Sequence, residues 1–501
     1  MIRARIAPGL LLGLALAGVA GEPEKKLEEK TVEVRREGTI GGVAMAWSAT
    51  AGTLVLREDG NKPKASVFYV SYVKEGEDPA TRPLTFAFNG GPGSSSVWLH
   101  LGALGPRRVA TGDEGEAPHP PGLLADNPDA WLDLTDVVCV DPVTTGFSRP
   151  AEGEDAKQFH GVEEDIAWMS EFIRAWVSRS GRWSSPKVLV GESYGTTRVS
   201  ALAHHLAERH GLQVNGVMLV SPVLEFGTIR FDPGNDDPYW LFLPTYATTA
   251  WYHQRLAPAL QRRPVEEVAA QAERWARTVY LPALASGDRL APAEQEKVLK
   301  ELAAWTGLAP EWLQRNRMRV GMGRFAKELL RGEGKVLGRF DSRYTGGDAD
   351  QGGDGPGYDP SYAAVQGPFT AAINDYLRRE LGWASEAPYE VLTGRVHPWS
   401  YPAQNRYLSV AERLRDALIR NPRLRVLACL GLYDLATPFA ALDHTVSRLA
   451  LPAELRGNVQ RATYRSGHMM YLRRADREKL KADAAKFYRW LGPRADTPEF
   501  R

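Results

Sequence analysis

Ser193, Asp434 and His468 are the residues of this 501-residue chain whose types and settings point to chemistry. Ser193 lies in Gly191-Glu192-Ser193-Tyr194-Gly195, directly after the apolar run 188–190. A serine hydroxyl is a poor nucleophile at neutral pH, so it needs an adjacent base, and the base needs an acid to orient it. Glycines on both sides of Ser193 allow the strained strand-to-helix turn that leaves such a hydroxyl exposed. Asp434 follows the apolar run 424–430 in Gly431-Leu432-Tyr433-Asp434, and His468 follows the run 459–464 in Ser466-Gly467-His468-Met469. The order is nucleophile, acid, base, each at the end of an expected strand. Blander readings exist for each: a helix N-cap for Ser193, a turn aspartate before Thr437-Pro438, and a satisfied loop histidine. Other histidines compete poorly. His204, His205 and His210 fall on the helix after Ser193, His100 follows a Gly-rich loop, His119 and His397 adjoin prolines, and His253 sits in a helical stretch.

That Gly-rich loop is Asn89-Gly90-Gly91-Pro92-Gly93-Ser94-Ser95-Ser96, straight after the short strand pattern 83–88. It lacks the Lys and following Ser/Thr that would make it a phosphate cradle. Its better use is to bring bare backbone N–H groups close to a reacting carbonyl. No metal cluster and no cofactor loop is readable, so none is expected.

The elements that must position these groups alternate in type. Residues 31–88 read as β-rich, with a hairpin over 43–58 turning at Ala51-Gly52, a strand over 65–74 and a turn at 59–63 between them. Strand 136–141 ends in Asp141-Pro142 and the turn Gly146-Phe147-Ser148. An amphipathic helix follows, with Val162, Ile166, Met169, Ile173 and Val177 on one face. Strand 188–190, the helix after Ser193 and strand 214–220 complete the pattern of a largely parallel sheet covered on both faces. From 224 to 395 strands vanish and helical segments take over, at 264–284, 293–306 and 323–330. Inside this stretch Asp348, Asp350, Asp354 and Asp359 stand among glycines over 346–360. A mobile surface loop is favoured over a calcium loop, because the EF-hand pattern is not met. The aromatic run 239–251 reads as a packing face, with a pocket wall as the alternative. The sheet pattern returns at 424–430 and 459–464, and the helix 476–491 closes the chain.

Composition excludes some function classes. With 43% hydrophobic and 25% charged residues the chain is an ordinary globular protein, and a net charge of +1 supplies no basic field for nucleic acid. Cys139 and Cys429 lie in different core strands, so buried free thiols are expected rather than a disulfide. Arg3 and Arg5, the apolar stretch 10–19 and the small residues Ala15, Ala17, Gly18 and Ala20 form a signal-peptide pattern. The stretch is short for a spanning helix, and no cysteine follows for lipid attachment. The expected organisation is a signal peptide over 1–21, a charged solvated tether over 22–30, a core over 31–223 and 396–501, and a mainly helical cap insertion over 224–395. Export to the periplasm or beyond follows, without stable membrane association after cleavage, and a retained N-terminal anchor is the competitor. Oligomeric state is unreadable.

Asn89-Gly90-Gly91-Pro92-Gly93, Gly191-Glu192-Ser193-Tyr194, the Asp434 segment and Gly467-His468-Met469 together resemble the serine carboxypeptidase family, within the α/β-hydrolase superfamily. Asp141-Pro142 with Gly146-Phe147-Ser148 resembles a further family segment. The resemblance implies an α/β-hydrolase fold with a mostly parallel central sheet, helices on both faces and a helical cap. It implies an exported enzyme that removes C-terminal residues from peptides, with Ser193 attacking the carbonyl, His468 moving the proton and Asp434 orienting the imidazole. The N–H groups of Gly91 and Tyr194 would form the oxyanion hole, and Asn89 with Glu192 would bind the substrate's terminal carboxylate. Three positions depart from the pattern: Ser94 for a cysteine, Ala87 for a tryptophan, and Ala103 for an acid expected before Leu104-Gly105-Pro106. The last removes an expected partner of Glu192. Esterase, acyltransferase or aminopeptidase chemistry on the same scaffold, or a catalytically silent binding protein, remain alternatives.

Overall fold

The computed structural model describes residues 27–58, 61–492 and 498–500. The expected signal peptide lies outside them, as do most of the expected tether and Asp59-Gly60 of the expected turn. The end of that tether is exposed yet tied down, since the Glu29 carboxylate accepts the Val55 N–H at 2.7 Å and pairs with Arg179 at 2.5 Å. No helix among the described residues is long and apolar enough to cross a membrane.

A ten-stranded sheet forms the centre. Its main strands are β1 (Thr31–Ile40), β2 (Val43–Arg57), β3 (Pro63–Lys74), β4 (Leu84–Phe88), β5 (Asp136–Val140), β6 (Lys187–Glu192), β7 (Gly216–Val220), β8 (Arg425–Gly431) and β9 (Val459–Tyr464). They lie in the order β1-β2-β3-β5-β4-β6-β7-β8-β9, with the two-residue strand Arg149–Pro150 paired to β3. β1, β2, β3 and β5 pair antiparallel, and every pair from β5 through β4 to β9 is parallel. This is the mostly parallel sheet of an α/β-hydrolase. The expected hairpin over 43–58 is not there. β2 runs unbroken through Ala51-Gly52, and the turn is at Gly41 (φ 58°) and Gly42 (φ 80°), between β1 and β2. Gly52 marks a packing contact instead, since a Cβ there would stand 2.8 Å from the Tyr69 ring across the strand pair.

The parallel strands inside the edge strand β9 are buried on both faces, and period-two alternation divides their side chains. Leu189, Val217, Leu219, Val426 and Ala428 face one cluster with helices α1 (Val162–Arg179) and α2 (Tyr194–His210). Val188, Val190, Met218, Val220, Leu427 and Cys429 face the other. Cys139 and Cys429 are buried free thiols.

Between β7 and β8 the chain runs mainly through helices: α3 (Asp237–Tyr252), α4 (Val265–Trp275), α5 (Pro292–Thr306), α6 (Pro360–Asp375) and α7 (Ala411–Arg420). Helix α8 (Phe439–Ser447) follows β8, and α9 (Arg474–Trp490) closes the sheet's second face through Leu480, Ala484 and Phe487. Strands do not vanish from the insertion, because Lys335–Leu337 pairs with Thr345–Gly347. Trp240, Phe242 and Tyr246 of α3 are core residues, so the aromatic run is a packing face.

Most of the Gly/Asp-rich stretch is exposed, as a surface loop should be, but it is anchored at Asp348. Lys327, whose side chain is fully buried, donates to the Asp348 carboxylate at 2.7 Å and to the Asp350 carbonyl, so an ammonium occupies the acidic loop. Asp359 caps α6 through the Ser361 and Tyr362 N–H groups. Removing one partner of a buried ion pair leaves the other uncompensated, so Lys327→Met is expected to cost about 3 kcal/mol. Urea denaturation checks this, and added calcium should leave the wild-type midpoint unchanged.

Candidate active site

Ser193 stands between β6 and α2 with φ 58° and ψ −129°, a conformation that non-glycine residues adopt only where surroundings hold it. Its N–H donates to the Val220 carbonyl at 3.0 Å, and its carbonyl accepts the Thr196 N–H at 2.8 Å. The flanking glycines answer to close packing as much as to backbone freedom. A Cβ on Gly191 would lie 2.2 Å from the Gly195 carbonyl oxygen, and one on Gly195 would lie 2.5 Å from the Phe88 carbonyl oxygen. The Gly-rich loop presses on the same turn, because a Cβ on Gly90 would lie 2.5 Å from the Tyr194 nitrogen. Tyr194 opens α2, where the first N–H groups have no acceptor within the helix. Gly91, at φ 100°, lies on the loop beside it.

Asp434 and His468 meet from neighbouring strand ends. The His468 Nδ1 lies 2.8 Å from Asp434 Oδ2, both side chains being buried, which leaves Nε2 as the free ring nitrogen. Asp434 is itself held by the N–H groups of Ala436 at 2.8 Å and Thr437 at 3.0 Å, and by the Thr437 hydroxyl at 2.8 Å. Burial depresses the His468 pKa, but the Asp434 and Glu192 carboxyl groups outweigh that and leave it above the ordinary 6.5. The segment 339–342 threads between the two loops. The Phe340 carbonyl accepts the His468 N–H at 2.6 Å, the Arg339 carbonyl accepts that of Leu435 at 3.1 Å, and the Phe340 ring stacks on the imidazole at 5.0 Å.

Asn89 and Glu192 are buried side by side. The Asn89 Oδ1 accepts the Leu99 N–H at 3.0 Å, which turns its amide donors toward the Glu192 carboxyl. The Asn89 carbonyl accepts from Arg198 at 2.7 Å, and Arg198 pairs with the buried Asp165 at 2.7 Å. Burial pushes Glu192 up to about 7, against the opposing pull of His468, Tyr471 and Asn89. Tyr471, which sequence reasoning missed, donates its hydroxyl to Glu192 Oε2 at 2.8 Å. Its ring fills the space beside Gly102, where a Cβ would come within 2.3 Å of Cε2. The small pair Gly102-Ala103 is the one trace of this in the sequence: where an acid was expected, room is left for a phenol.

Ser193, His468, Glu192, Asn89 and Gly91 line one cavity of about 340 Å³. Ser193 is partly exposed there, and Asp434 lies behind the imidazole. His397 also lines it, whereas His100 is buried against Tyr72 and His253 bonds the Ser342 carbonyl. Ser94 accepts from Trp98 Nε1 at 2.9 Å and, through its bridge to Leu392, ties the Gly-rich loop to the insertion. Ala87 packs in the sheet core. Asp141 steadies the far end of the loop, accepting the N–H and hydroxyl of Ser96 at 2.9 and 2.8 Å. A partly exposed hydroxyl, an imidazole oriented by a carboxylate, and main-chain donors in one cavity are the equipment of acyl transfer.

Two outcomes are expected from this geometry. Gly191→Ala should destabilise the fold by about 3 kcal/mol, read as a lowered urea midpoint, because the new methyl meets main chain rather than a movable side chain. Tyr471→Phe removes a donor to the ionised carboxyl. The Glu192 pKa should therefore rise by about one unit, measured as the carboxyl titration that Glu192→Gln abolishes in carbon-13 spectra.

Residues 51–227 match the serine carboxypeptidase family. That span holds Asn89, Gly91, Glu192 and Ser193, while Asp434 and His468 lie beyond it. Serine carboxypeptidase-like 50 of Arabidopsis thaliana is 32% identical over 180 residues, which are 33% of this chain and 38% of that protein. Serine carboxypeptidase-like 36 of the same plant is 29% identical over 169 residues, 33% of each chain. The matched segments thus span about a third of these relatives' length. The structure is similar to that of Kex1Δp, a prohormone-processing carboxypeptidase from Saccharomyces cerevisiae, with a TM-score of 0.54 at 16% identity, covering 88% of this chain and 91% of that one. At that identity the likeness is one of fold. The likeness to the serine carboxypeptidase family itself stands on residues 51–227.

Proposed function

We propose that the protein is an exported serine carboxypeptidase that hydrolyses the C-terminal peptide bond through an acyl-enzyme on Ser193. The observation that carries this reading is the buried Asn89–Glu192 pair opening into the same cavity as Ser193 and His468. A buried carboxyl group beside the nucleophile, able to donate a hydrogen bond when protonated, suits recognition of a terminal carboxylate.

In this reading the Ser193 hydroxyl adds to the scissile carbonyl as its proton passes to His468 Nε2. The N–H groups of Gly91 and Tyr194 hold the resulting oxyanion, and their placement by main chain alone means no reorganisation as charge develops. Collapse of the tetrahedral intermediate breaks the C–N bond, and the His468 proton goes to the departing amine, which leaves as the C-terminal amino acid. Water then adds to the ester with His468 again as base and releases the shortened peptide. Residues 224–395 act as the cap that roofs the cavity, and no cofactor is required.

Recognition of the new or old C-terminus falls to Asn89 and Glu192. Two ionised carboxylates at hydrogen-bond distance repel, so Glu192 receives the substrate in its protonated form and donates to it. Its position at about 7 makes that form available up to neutral pH.

Two measurements test this. Mass spectrometry of peptides with free and amidated C-termini should show loss of the terminal residue from the free form alone, and Ser193→Ala should abolish it together with fluorophosphonate labelling. Equal processing of both peptides would remove the carboxylate site and favour an aminopeptidase, and processing of neither would favour an esterase or acyltransferase. The KM of a blocked dipeptide should climb as pH rises through about 7, where Glu192 ionises, while kcat falls on the acid side as His468 takes up a proton. A KM flat from acid to mildly alkaline pH contradicts the assignment of Glu192.

A further inference from the structure

Arg339 is a cation that the mechanism does not use, and it lines the cavity that holds Ser193 and His468. Its side chain is exposed, and among the described residues no carboxylate pairs with its guanidinium. An unpaired arginine beside an active centre is unusual in this chain, where the cavity's other charged neighbours, Glu192 and His468, are both engaged.

Its mount is rigid. The Arg339 N–H donates to Asp359 Oδ1 at 3.0 Å, its carbonyl accepts from Leu435, and its guanidinium lies over the Phe340 ring at 4.8 Å from the centroid. Phe340 in turn stacks on His468 and is held by the Ser361 hydroxyl at 3.0 Å. The head group is thus carried on a platform bonded to the loops of Asp434, His468 and α6, while its five donors point to no protein acceptor. A guanidinium so placed is a fork suited to a carboxylate.

Which side of the scissile bond it serves follows from the wall it belongs to. Phe340 touches Tyr362 at 6.0 Å, and Tyr362 touches Trp98 at 6.2 Å. Trp98 precedes Leu99, whose N–H is bonded to Asn89. That aromatic run therefore joins Arg339 to the end of the cavity where the terminal carboxylate is read.

We propose that Arg339 forms a subsite for an acidic side chain on the C-terminal residue, so that the preferred substrates are peptides ending in glutamate or aspartate. The inference rests on the carboxypeptidase reading above. The family-matched segment does not supply it, since residue 339 lies outside 51–227.

The test compares kcat/KM for blocked dipeptides with free C-terminal Glu, Gln or Lys, in wild type, Arg339→Gln and Arg339→Glu, at low and high ionic strength. Wild type should favour Glu over Gln by about tenfold at low salt, and salt should narrow the gap because the site is partly open to solvent. The gap should close in Arg339→Gln, and Arg339→Glu should favour Lys. Equal rates for Glu and Gln in wild type, or a Glu preference that survives Arg339→Gln, overturn the subsite. So does a preference that follows a Glu placed on the acyl side of the bond with Gln at the terminus. The amidated peptides separate this from the wider reading: a chain that spares amidated ends yet ignores the terminal side chain refutes the role of Arg339 alone. Wild type that cleaves amidated and free ends alike refutes the exopeptidase assignment and the subsite with it.

Discussion

Main chain pressed against main chain at the end of β6 is the constraint on which the rest of the structure depends. Gly90, Gly191 and Gly195 each sit where a single methyl group would collide with backbone atoms of a neighbouring segment. Three pieces of chain, the Gly-rich loop, the strand end and the helix start, are therefore brought to a separation that no side chain permits. In the proposed mechanism the donors beside Ser193 are main-chain N–H groups for the same reason. Their positions come from the path of the polymer and not from a choice of rotamer, which is what a preorganised site requires. The positive φ of Ser193 is the local cost of that path, and the hydrogen bonds to Val220 and Thr196 hold it.

The groups around Ser193 come from distant parts of the chain, and two sets of contacts unite them. The first is the buried pair of Arg198 and Asp165, whose value lies less in stability than in direction: the guanidinium fork also takes the Asn89 carbonyl and covers the Phe88 and Tyr194 rings. It locks the Gly-rich loop to the helix that follows Ser193. The second is the stretch 339–342, which donates to and accepts from the Asp434 loop and accepts from the His468 loop, the Gly467 N–H reaching Asp341 Oδ2 at 2.8 Å. The imidazole is thus supported from the insertion side as well as by its carboxylate.

Much of this was legible in the amino-acid sequence because its signals are local. A parallel strand buried on both faces reads as an unbroken apolar run, and the residues that follow such runs are where side chains of a site emerge. Ser193, Asp434 and His468 became candidates on that ground. What escaped depends on contacts across the fold. Gly52 looks like a turn residue but exists to admit the Tyr69 ring, so a long strand was read as a hairpin. The Asp348 loop looks solvated until Lys327, from a different element, is found inside it. Tyr471 is bonded to a residue 279 positions away, and no periodicity announces that.

The outermost strand has a consequence of its own. Among the described residues β1 pairs only with β2, and its other edge leaves a ladder of backbone groups open. Ten residues of regular extended chain would readily recruit the backbone of a second copy. Glu33, Arg35, Arg36 and Glu37 crowd this strand, with Arg35 paired to Glu75 at 3.0 Å and Glu33 accepting from Ser48 at 3.2 Å. A stranger docking edge-on would have to strip water from those charges without offering matching ones. The border of the sheet is in this way guarded against polymerisation, which lets the molecule keep an extended antiparallel flank without becoming a template for fibrils.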